Sequence, residues 1–320
     1  MESRNEAEKE LEIMNYVPVK IKFGLIVLLV WSLTGCASDD DVENTNVEKT
    51  SGSDVNDPAV LVATYTAELP TIDGKIDRPW ELASPLTVTV REAIGGADPR
   101  NVIMRALYTD EEFFVLAEWP DTTLSDMRDP YIWNAETKQY ERPSKPDDQF
   151  AIEFPIDGDF EVSMLTTDNE YTADVWHWKA GRSNPRGFAD DKRHLIRKNP
   201  VDGAKEYALG GRATVYIARP MDEGTPAYVR KEKPAVFETD VVDSFKSQEA
   251  SGSVADVRAK GVHNGSGWTL ELARKFDTGH DDDAVIHKDK DNRFAIAILD
   301  DELYWRHSVS QLMHLRFAPK

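Results

Sequence analysis

The sequence predicts an all-β fold, an antiparallel β-sandwich of immunoglobulin-like or jelly-roll-like type with long loop insertions and few short helices. Short runs of alternating, or of β-branched and aromatic, residues recur along the chain, and clusters of Gly, Pro, Asp and Asn separate them. No stretch longer than a few turns keeps the helical spacing of apolar residues. About ten strands joined by loops favour a sandwich over a parallel α/β sheet.

The first 58 residues are predicted to lie outside this fold. KIKFGLIVLLVWSLTGC combines two lysines with an apolar run too short to be a good membrane span, and it ends in a lipobox. We therefore expect residues 1–36 to be a lipoprotein signal peptide, with Cys36 as the lipidated residue; an uncleaved anchor is the alternative. The acidic residues ahead of Met14 are unlike an export signal, so we expect translation to start at Met14. Residues 37–58 are polar and are expected to be a disordered tether.

Residues 59–320 are expected to form the β-sandwich domain. Two polar insertions, Thr122–Pro146 and Ser183–Tyr207, are predicted to be long loops between strands. The predicted strands, in chain order, are LTVTVREA, NVIMRALYTD, EEFFVLAEW, DQFAIEFP, YTADVWHWK, ATVYIAR, ADVRAKGV, GWTLELAR, RFAIAIL and HLRFAPK.

The composition excludes several classes of function. With 58 acidic and 38 basic residues the formal net charge is −20, which argues against a nucleic-acid or anionic-lipid surface and leaves the lipid anchor as the link to the membrane. A single cysteine and the lack of C-x-x-C-H exclude a disulfide framework, a cysteine zinc site and covalent c-type haem. The chain also lacks the G-x-S-x-G, H-E-x-x-H and phosphate-loop motifs, so we do not expect an enzyme.

One segment, ADVWHWKAGR, combines large aromatic rings with basic and ligand-capable side chains. On a strand, Trp176 and Trp178 face one way, while His177 and Lys179 face the other. Such a strand suits an aromatic platform for sugar rings, and a tryptophan-rich core is the structural alternative.

The opening of the domain resembles that of family 9 carbohydrate-binding modules. In TIDGKIDRPWELASPLTV, the resemblance implies that Asp73, Gly74 and Asp77 shape a turn and that Trp80 packs beneath the sheet. The later segments narrow the match, and the resemblance spans about Ala63 to Pro319. LYTDEEFFVLAEWPDTT, DQFAIEFP, DVWHWKAGR, ADVRAKGVHNGSGWTLELAR and RFAIAILDDELYWRHSVS together resemble the haem-binding domain of the ethylbenzene dehydrogenase γ-subunit family, also described as the cytochrome c-552/DMSO reductase-like haem-binding domain.

This resemblance implies a haem b, held noncovalently at one end of the sandwich and used for electron transfer. In those γ-subunits the axial ligands are a methionine and a lysine, and the matching positions are Met164 and Lys260. A lysine amine binds iron only when neutral, as burial permits. Because imidazole is the commoner haem ligand, His307 and His177 are alternatives. The other histidines are expected at the surface: His194, His263, His280, His287 and His314.

Within this reading Trp176 and Trp178 pack the sheet or the macrocycle, and Lys179 and Arg182 are available to the propionates. The expected partner is a redox protein, such as an iron–sulfur or molybdenum enzyme subunit or a cytochrome. Because Ala37 follows the cysteine, we expect a lipid anchor in the outer membrane, facing the periplasm. A carbohydrate-binding lipoprotein with an aromatic platform is the alternative. Calcium is a further candidate ligand, bound by Asp281, Asp283, Asp289 and Asp291.

Overall fold

The protein's structure, a computed structural model, describes residues 59–93, 99–165, 167–208, 214–300 and 307–320. The predicted signal peptide, its Cys36 and the tether lie outside these ranges. Within them the chain is built mainly of strands, and its helical elements are three short 3-10 turns. None of the described helices is long and apolar enough to cross a membrane.

The strands follow one another in short, evenly spaced runs. They are β1 (Ala59–Tyr65), β2 (Leu86–Glu92), β3 (Arg100–Tyr108), β4 (Glu112–Pro120), β5 (Tyr131–Asn134), β6 (Gln139–Glu141), β7 (Gln149–Gly158), β8 (Tyr171–Lys179), β9 (Asp190–Arg197), β10 (Lys205–Tyr207), β11 (Val215–Ala218), β12 (Tyr228–Arg230), β13 (Val241–Val242), β14 (Phe245–Ser247), β15 (Arg258–His263), β16 (Gly267–Lys275), β17 (Asn292–Leu299), β18 (Ser308–Val309) and β19 (Met313–Phe317). The 3-10 turns are Arg78–Leu82, Asn184–Arg186 and Ser253–Ala255.

Two layers of sheet form the predicted sandwich. The first sheet runs β15-β16-β4-β3, with β2 and β1 both paired to β3 and with β19 beside β1. The second sheet runs β10-β11-β9-β8-β7-β17-β18, and β18 also pairs with β2. Strand pairs are antiparallel except for β1, which is parallel to β3 and to β19. The predicted all-β sandwich is therefore confirmed.

The main core lies between the two sheets because each strand turns alternate side chains inward. On β7 these are Phe150, Ile152 and Phe154, and on β16 they are Leu270 and Leu272. The outer face of each sheet is also covered. A cluster around Trp80 covers the first sheet, and a cluster around Phe160 covers the second.

Two expectations about loops are wrong. The segment 183–207 contains β9, which pairs with β8 along its length and with β11 on its other side. The segment 122–146 contains β5 and β6, which form a small sheet with β13. The sequence of β9, DDKRHLIR, does not indicate a strand, because charged residues occupy both of its faces, whereas half-buried strands usually alternate apolar and polar residues.

Candidate functional site

The two tryptophans of ADVWHWKAGR are core residues. Trp176 and Trp178 are 0% exposed, and both belong to the cluster between the sheets. The Trp176 ring centroid lies 5.1 Å from that of Phe113, and the Trp178 centroid lies 4.9 Å from that of Trp268. These rings pack the sheet from the inside, and neither of them presents a platform at the surface.

The two predicted propionate partners are held in internal ion pairs. Lys179 Nζ forms an ion pair with Asp190 and donates a hydrogen bond of 3.0 Å to the hydroxyl of Tyr228. Arg182 donates to both carboxylate oxygens of Asp147, over 3.1 and 2.8 Å. Both cations therefore already have buried anionic partners.

The structure does not bring Met164 and Lys260 together. Lys260 pairs with Glu271 across β15 and β16, on the outer face of the first sheet, and its Nζ donates to the carbonyl of Asn184 at 3.2 Å. Met164 lies in the segment between β7 and β8, where it packs against the cluster around Phe160 on the outer face of the second sheet. The two side chains are thus on opposite sides of the sandwich core.

The outer face of the second sheet gathers the nitrogen donors instead. Strand register places His177 beside Ala151, and it places His194 beside Ala173. His307 immediately precedes β18 at the edge of this sheet. We call this surface, defined by His177, His194 and His307, the imidazole face. The side chains that project from the strands on this face are short, because several outward positions hold alanine: Ala151, Ala173, Ala295 and Ala297.

Four imidazole nitrogens on this face are buried without a hydrogen bond to any described residue. They are both ring nitrogens of His177, Nε2 of His194 and Nδ1 of His307. His194 Nδ1 lies 3.0 Å from Oε1 of Glu153. A buried polar atom without a partner is costly, so these nitrogens mark a place where a ligand would be stabilising.

The imidazoles are neutral at physiological pH. Burial, and then the charge of Lys192, lower the pKa values of His177 and His194 well below the ordinary range. Burial above all, followed by the charge of Arg219, lowers the pKa of His307 to about 4. A neutral imidazole keeps the lone pair that a metal ion or a hydrogen-bond donor requires.

Two further buried groups complete the face. Lys192 is 7% exposed, its amine makes no hydrogen bond or ion pair with the described residues, and burial lowers its pKa well below the usual value. Burial likewise raises the pKa of Glu153 to about 8. Burial therefore favours the uncharged form of both Lys192 and Glu153.

Sequence reasoning missed part of this site. His194 was expected at the surface and is instead 7% exposed, because β9 is an interior strand of the second sheet. His263 and His314 are half-buried, whereas His280 and His287 are exposed as expected. The missed signal was the period of two in β9, which places Lys192 and His194 on the face that His177 occupies on β8.

The predicted calcium ligands are not assembled as expected. Asp281 and Asp289 are exposed, and Asp291 accepts a hydrogen bond from Arg316. Of these four aspartates, only Asp283 belongs to clusters of possible metal ligands among the described residues, one with Asp174 and Asp191 and one with Asp256 and His280.

The described residues meet one requirement of a noncovalent haem, which is a set of side chains that can ligate its iron. Met164 packs against a cluster that includes Ala173, and Ala173 pairs with His194, so a thioether and neutral imidazoles share one side of the second sheet. Thioether and imidazole are both haem ligands. Met164 and Lys260, in contrast, lie on opposite sides of the core.

Together these features define a class: β-sandwich proteins with buried nitrogen donors on one face of a sheet. The family follows from sequence. A profile described as "Ethylbenzene dehydrogenase" matches residues 77–309, and the chain belongs to that family. A comparison with curated proteins finds no match.

Solved structures similar to this chain are also sandwiches. A family 9 carbohydrate-binding module from Caldicellulosiruptor kristjanssonii in complex with glucose is 10% identical, covers 82% of this chain and 96% of its own, and has a TM-score of 0.38. The cellotriose complex of a module from the same organism is 11% identical, covers 82% and 95%, and has a TM-score of 0.35. A candidate carbohydrate-binding protein from Bacteroides uniformis is 9% identical, covers 82% and 100%, and has a TM-score of 0.40.

Proposed function

We propose that the protein binds one haem b noncovalently on the imidazole face and serves as an electron-transfer protein. The observation that carries this proposal is the set of buried imidazole nitrogens without hydrogen bonds on the side of the second sheet where Met164 packs. Membership in the ethylbenzene dehydrogenase family supports it. When bound, the haem iron supplies one-electron redox chemistry.

Met164 and His307 are the side chains that would hold the haem iron. Both lie in segments that flank the imidazole face, Met164 between β7 and β8 and His307 just before β18, so they can approach a macrocycle from the margins of the face. His177 and His194 project from β8 and β9, and the macrocycle would lie against them. Arg219, which lies close enough to lower the pKa values of His194 and His307, is the cation placed to meet a propionate.

The remaining side chains would control the surroundings of the haem. Burial lowers the pKa of Lys192 and raises that of Glu153 to about 8, so it favours the uncharged form of both side chains beside the haem. The cluster around Phe160 would exclude water from one margin. A haem shielded from water in this way would have its reduction potential set by the surrounding side chains.

The same proposal includes the cellular setting. A lipid anchor at Cys36 would hold the protein at the outer membrane, facing the periplasm, where it would exchange electrons with a redox partner. An iron–sulfur or molybdenum enzyme subunit or a cytochrome has the chemistry for that exchange.

The test is a reduced-minus-oxidised absorption spectrum of protein produced with ample haem. We expect a Soret band and α and β bands that sharpen on reduction. Met164→Ala and His307→Ala should each shift the bands or lose the haem, whereas Lys260→Ala should leave the spectrum unchanged. Met127→Ala and His287→Ala remove an exposed methionine and an exposed histidine and serve as matched controls.

Two outcomes would contradict the proposal in different ways. If Lys260→Ala shifts the bands while His307→Ala does not, the ligand assignment is wrong and the haem proposal stands. If the folded protein stays colourless with haem in excess, the haem proposal is wrong. Binding of soluble glycans by that colourless protein would then favour the carbohydrate-binding alternative.

A further inference from the structure

A second group of buried charges lies between the sheets, at the end of the core near Trp176. Arg274 of β16 extends into a ring of three carboxylates, from Asp174 of β8, Asp191 of β9 and Asp283, which lies in the segment before β17. The guanidinium Nη1 is 2.6 Å from Asp174 Oδ2, 3.6 Å from Asp191 Oδ2 and 3.6 Å from Asp283 Oδ1. These four side chains are at most 2% exposed.

The charges in this group do not balance. Three carboxylates face one guanidinium, which leaves a formal excess of two negative charges in a dry interior. Unbalanced buried charge is among the costliest features a folded protein can have. A further buried carboxylate, that of Asp222, lies close by, where it forms an ion pair of 3.2 Å with Arg193 and is outside this count.

Several carboxylate oxygens in the group receive no hydrogen bond from the described residues. The buried oxygens without such a bond are Oδ1 of Asp174, Oδ1 and Oδ2 of Asp191, and Oδ1 of Asp283. Asp191 is the clearest case, because it is 0% exposed and both of its oxygens lack a hydrogen bond. One oxygen from each of the three residues lies within 4.8 Å of the others, a separation that a single cation can bridge.

We propose that Asp174, Asp191 and Asp283 bind a divalent cation, and that the cation is calcium. Two positive charges cancel the excess left by Arg274. The donors are all oxygens, which selects calcium or magnesium over zinc or copper. Calcium accepts irregular sets of six to eight oxygens, including water, whereas magnesium demands a near-ideal octahedron, and three carboxylates around an arginine are irregular.

This inference does not depend on haem binding. None of its ligands lies on the imidazole face, and its readouts need no haem. It also differs from the calcium site that the sequence predicts, since it keeps only Asp283 of those residues and takes Asp174 and Asp191 from strands distant in the chain.

The competing account is that protons neutralise the carboxylates. Burial, and then the charge of Asp174, raise the pKa of Asp191 well above the ordinary value. In that case the protonated carboxyl group would stabilise the fold at low pH, and this stabilisation would be lost as the pH rises through the raised pKa. Calcium would then have no effect on stability.

The experiment compares the full-length protein after chelation with the same protein after addition of CaCl2, at pH 7.5. We expect saturable binding of about one calcium ion by calorimetry. At about one hundred times the dissociation constant the melting temperature should rise by about 5 to 10 °C for a domain of this size. Magnesium at equal concentration should give a smaller shift.

Terbium offers a readout specific to this place. The Arg274 guanidinium lies 4.7 Å from the Trp176 ring, so a lanthanide bound by the three carboxylates would sit close to that indole and emit when the indole is excited. Calcium in excess should quench this emission by competition.

Asp191→Asn should abolish most of the calcium-induced shift and of the terbium emission. Without calcium this variant should melt at the wild-type temperature or above it, because it removes one of the excess charges. Asp281→Asn makes the same change at an exposed aspartate two residues from Asp283 and should behave as the wild type.

Three results would overturn the proposal. The first is a wild-type protein whose melting temperature is the same in calcium and in chelator. The second is terbium emission that survives Asp191→Asn. The third is stability that falls equally with rising pH in calcium and in chelator. If Asp191→Asn does not fold, the wild-type titrations still decide the question, and Asp283→Asn provides the second variant.

Discussion

Glu271 holds the opening segment of the domain against the first sheet. Its Oε2 accepts hydrogen bonds from the backbone N–H groups of Asp73 and Gly74, at 2.9 and 2.7 Å, and its Oε1 accepts one of 2.7 Å from the indole N–H of Trp80. Glu271 is 0% exposed. Replacing it with alanine would leave three donors without an acceptor, two of them in buried residues.

The expected cost can be worked from these three bonds. A hydrogen bond to a charged group contributes about 1.5–3 kcal/mol, and water can reach the half-buried Asp73 and recover part of the loss. We therefore expect Glu271→Ala to lower the free energy of unfolding by about 3–5 kcal/mol. At about 2–4 °C per kcal/mol for a domain of this size, the melting temperature should fall by about 6–20 °C.

Glu271→Gln tests the geometry of the same contacts. The amide keeps one oxygen for the two backbone donors but turns an NH₂ group toward the indole N–H, so we expect a loss of about 1–3 kcal/mol. In urea denaturation, Glu271→Gln and Trp80→Phe should couple in a double-mutant cycle, because both remove the same bond. Glu81→Ala, exposed in the adjacent turn, is the control. The reasoning is refuted if Glu271→Ala changes stability by less than about 0.5 kcal/mol, or if glutamine costs as much as alanine.

Three further changes test other contacts. In Gly261→Ala the added Cβ would lie 2.4 Å from the Trp178 ring, so we expect a loss of about 1–3 kcal/mol in urea denaturation and an altered near-ultraviolet dichroism; an unchanged spectrum would contradict this packing. Burial above all raises the pKa of Asp148 to about 7, so the stability it contributes is present below its unfolded pKa of about 4 and is lost as the pH rises through about 7. Asp148→Asn should flatten the fall in melting temperature over this range, and equal slopes would count against it. Arg182→Met leaves the buried carboxylate of Asp147 without its partner and should cost about 3–5 kcal/mol in guanidinium denaturation; an unchanged midpoint would show that the pair contributes little.

The local features of the fold could be predicted from the sequence, and the opening segment shows why. Gly74 has a φ of 80°, and Asp77 accepts a hydrogen bond from the N–H of Thr71 through its carboxylate, as expected of a turn. Trp80 is buried against the first sheet, also as expected. These outcomes depend on residues close in the chain, where turn chemistry and alternation are strong signals.

The site depends on contacts between distant segments, and there the sequence says less. Nothing local in EVSMLTTDN or WRHSVS indicates that Met164 and His307 lie on the same side of one sheet, since that follows from the strand order β9-β8-β7-β17-β18. Lys260 illustrates the reverse case. Its neighbours Ala259 and Gly261 match the expected motif, yet register places the amine on the other side of the core.

The strands β8 and β9 explain why so many titratable residues can be buried in a domain this acidic. Alternation sends Asp174 and Asp191 toward the core and sends His177 and Lys192 toward the imidazole face. The carboxylates of Asp174 and Asp191 are thereby separated from the imidazole of His177 and the amine of Lys192, whereas Asp190 lies on the imidazole face and forms an ion pair with Lys179. Each set is left with polar atoms that the described residues do not satisfy. A slip of one residue in this pairing would exchange the two sets, so the register of β8 and β9 is the feature on which both proposed sites depend.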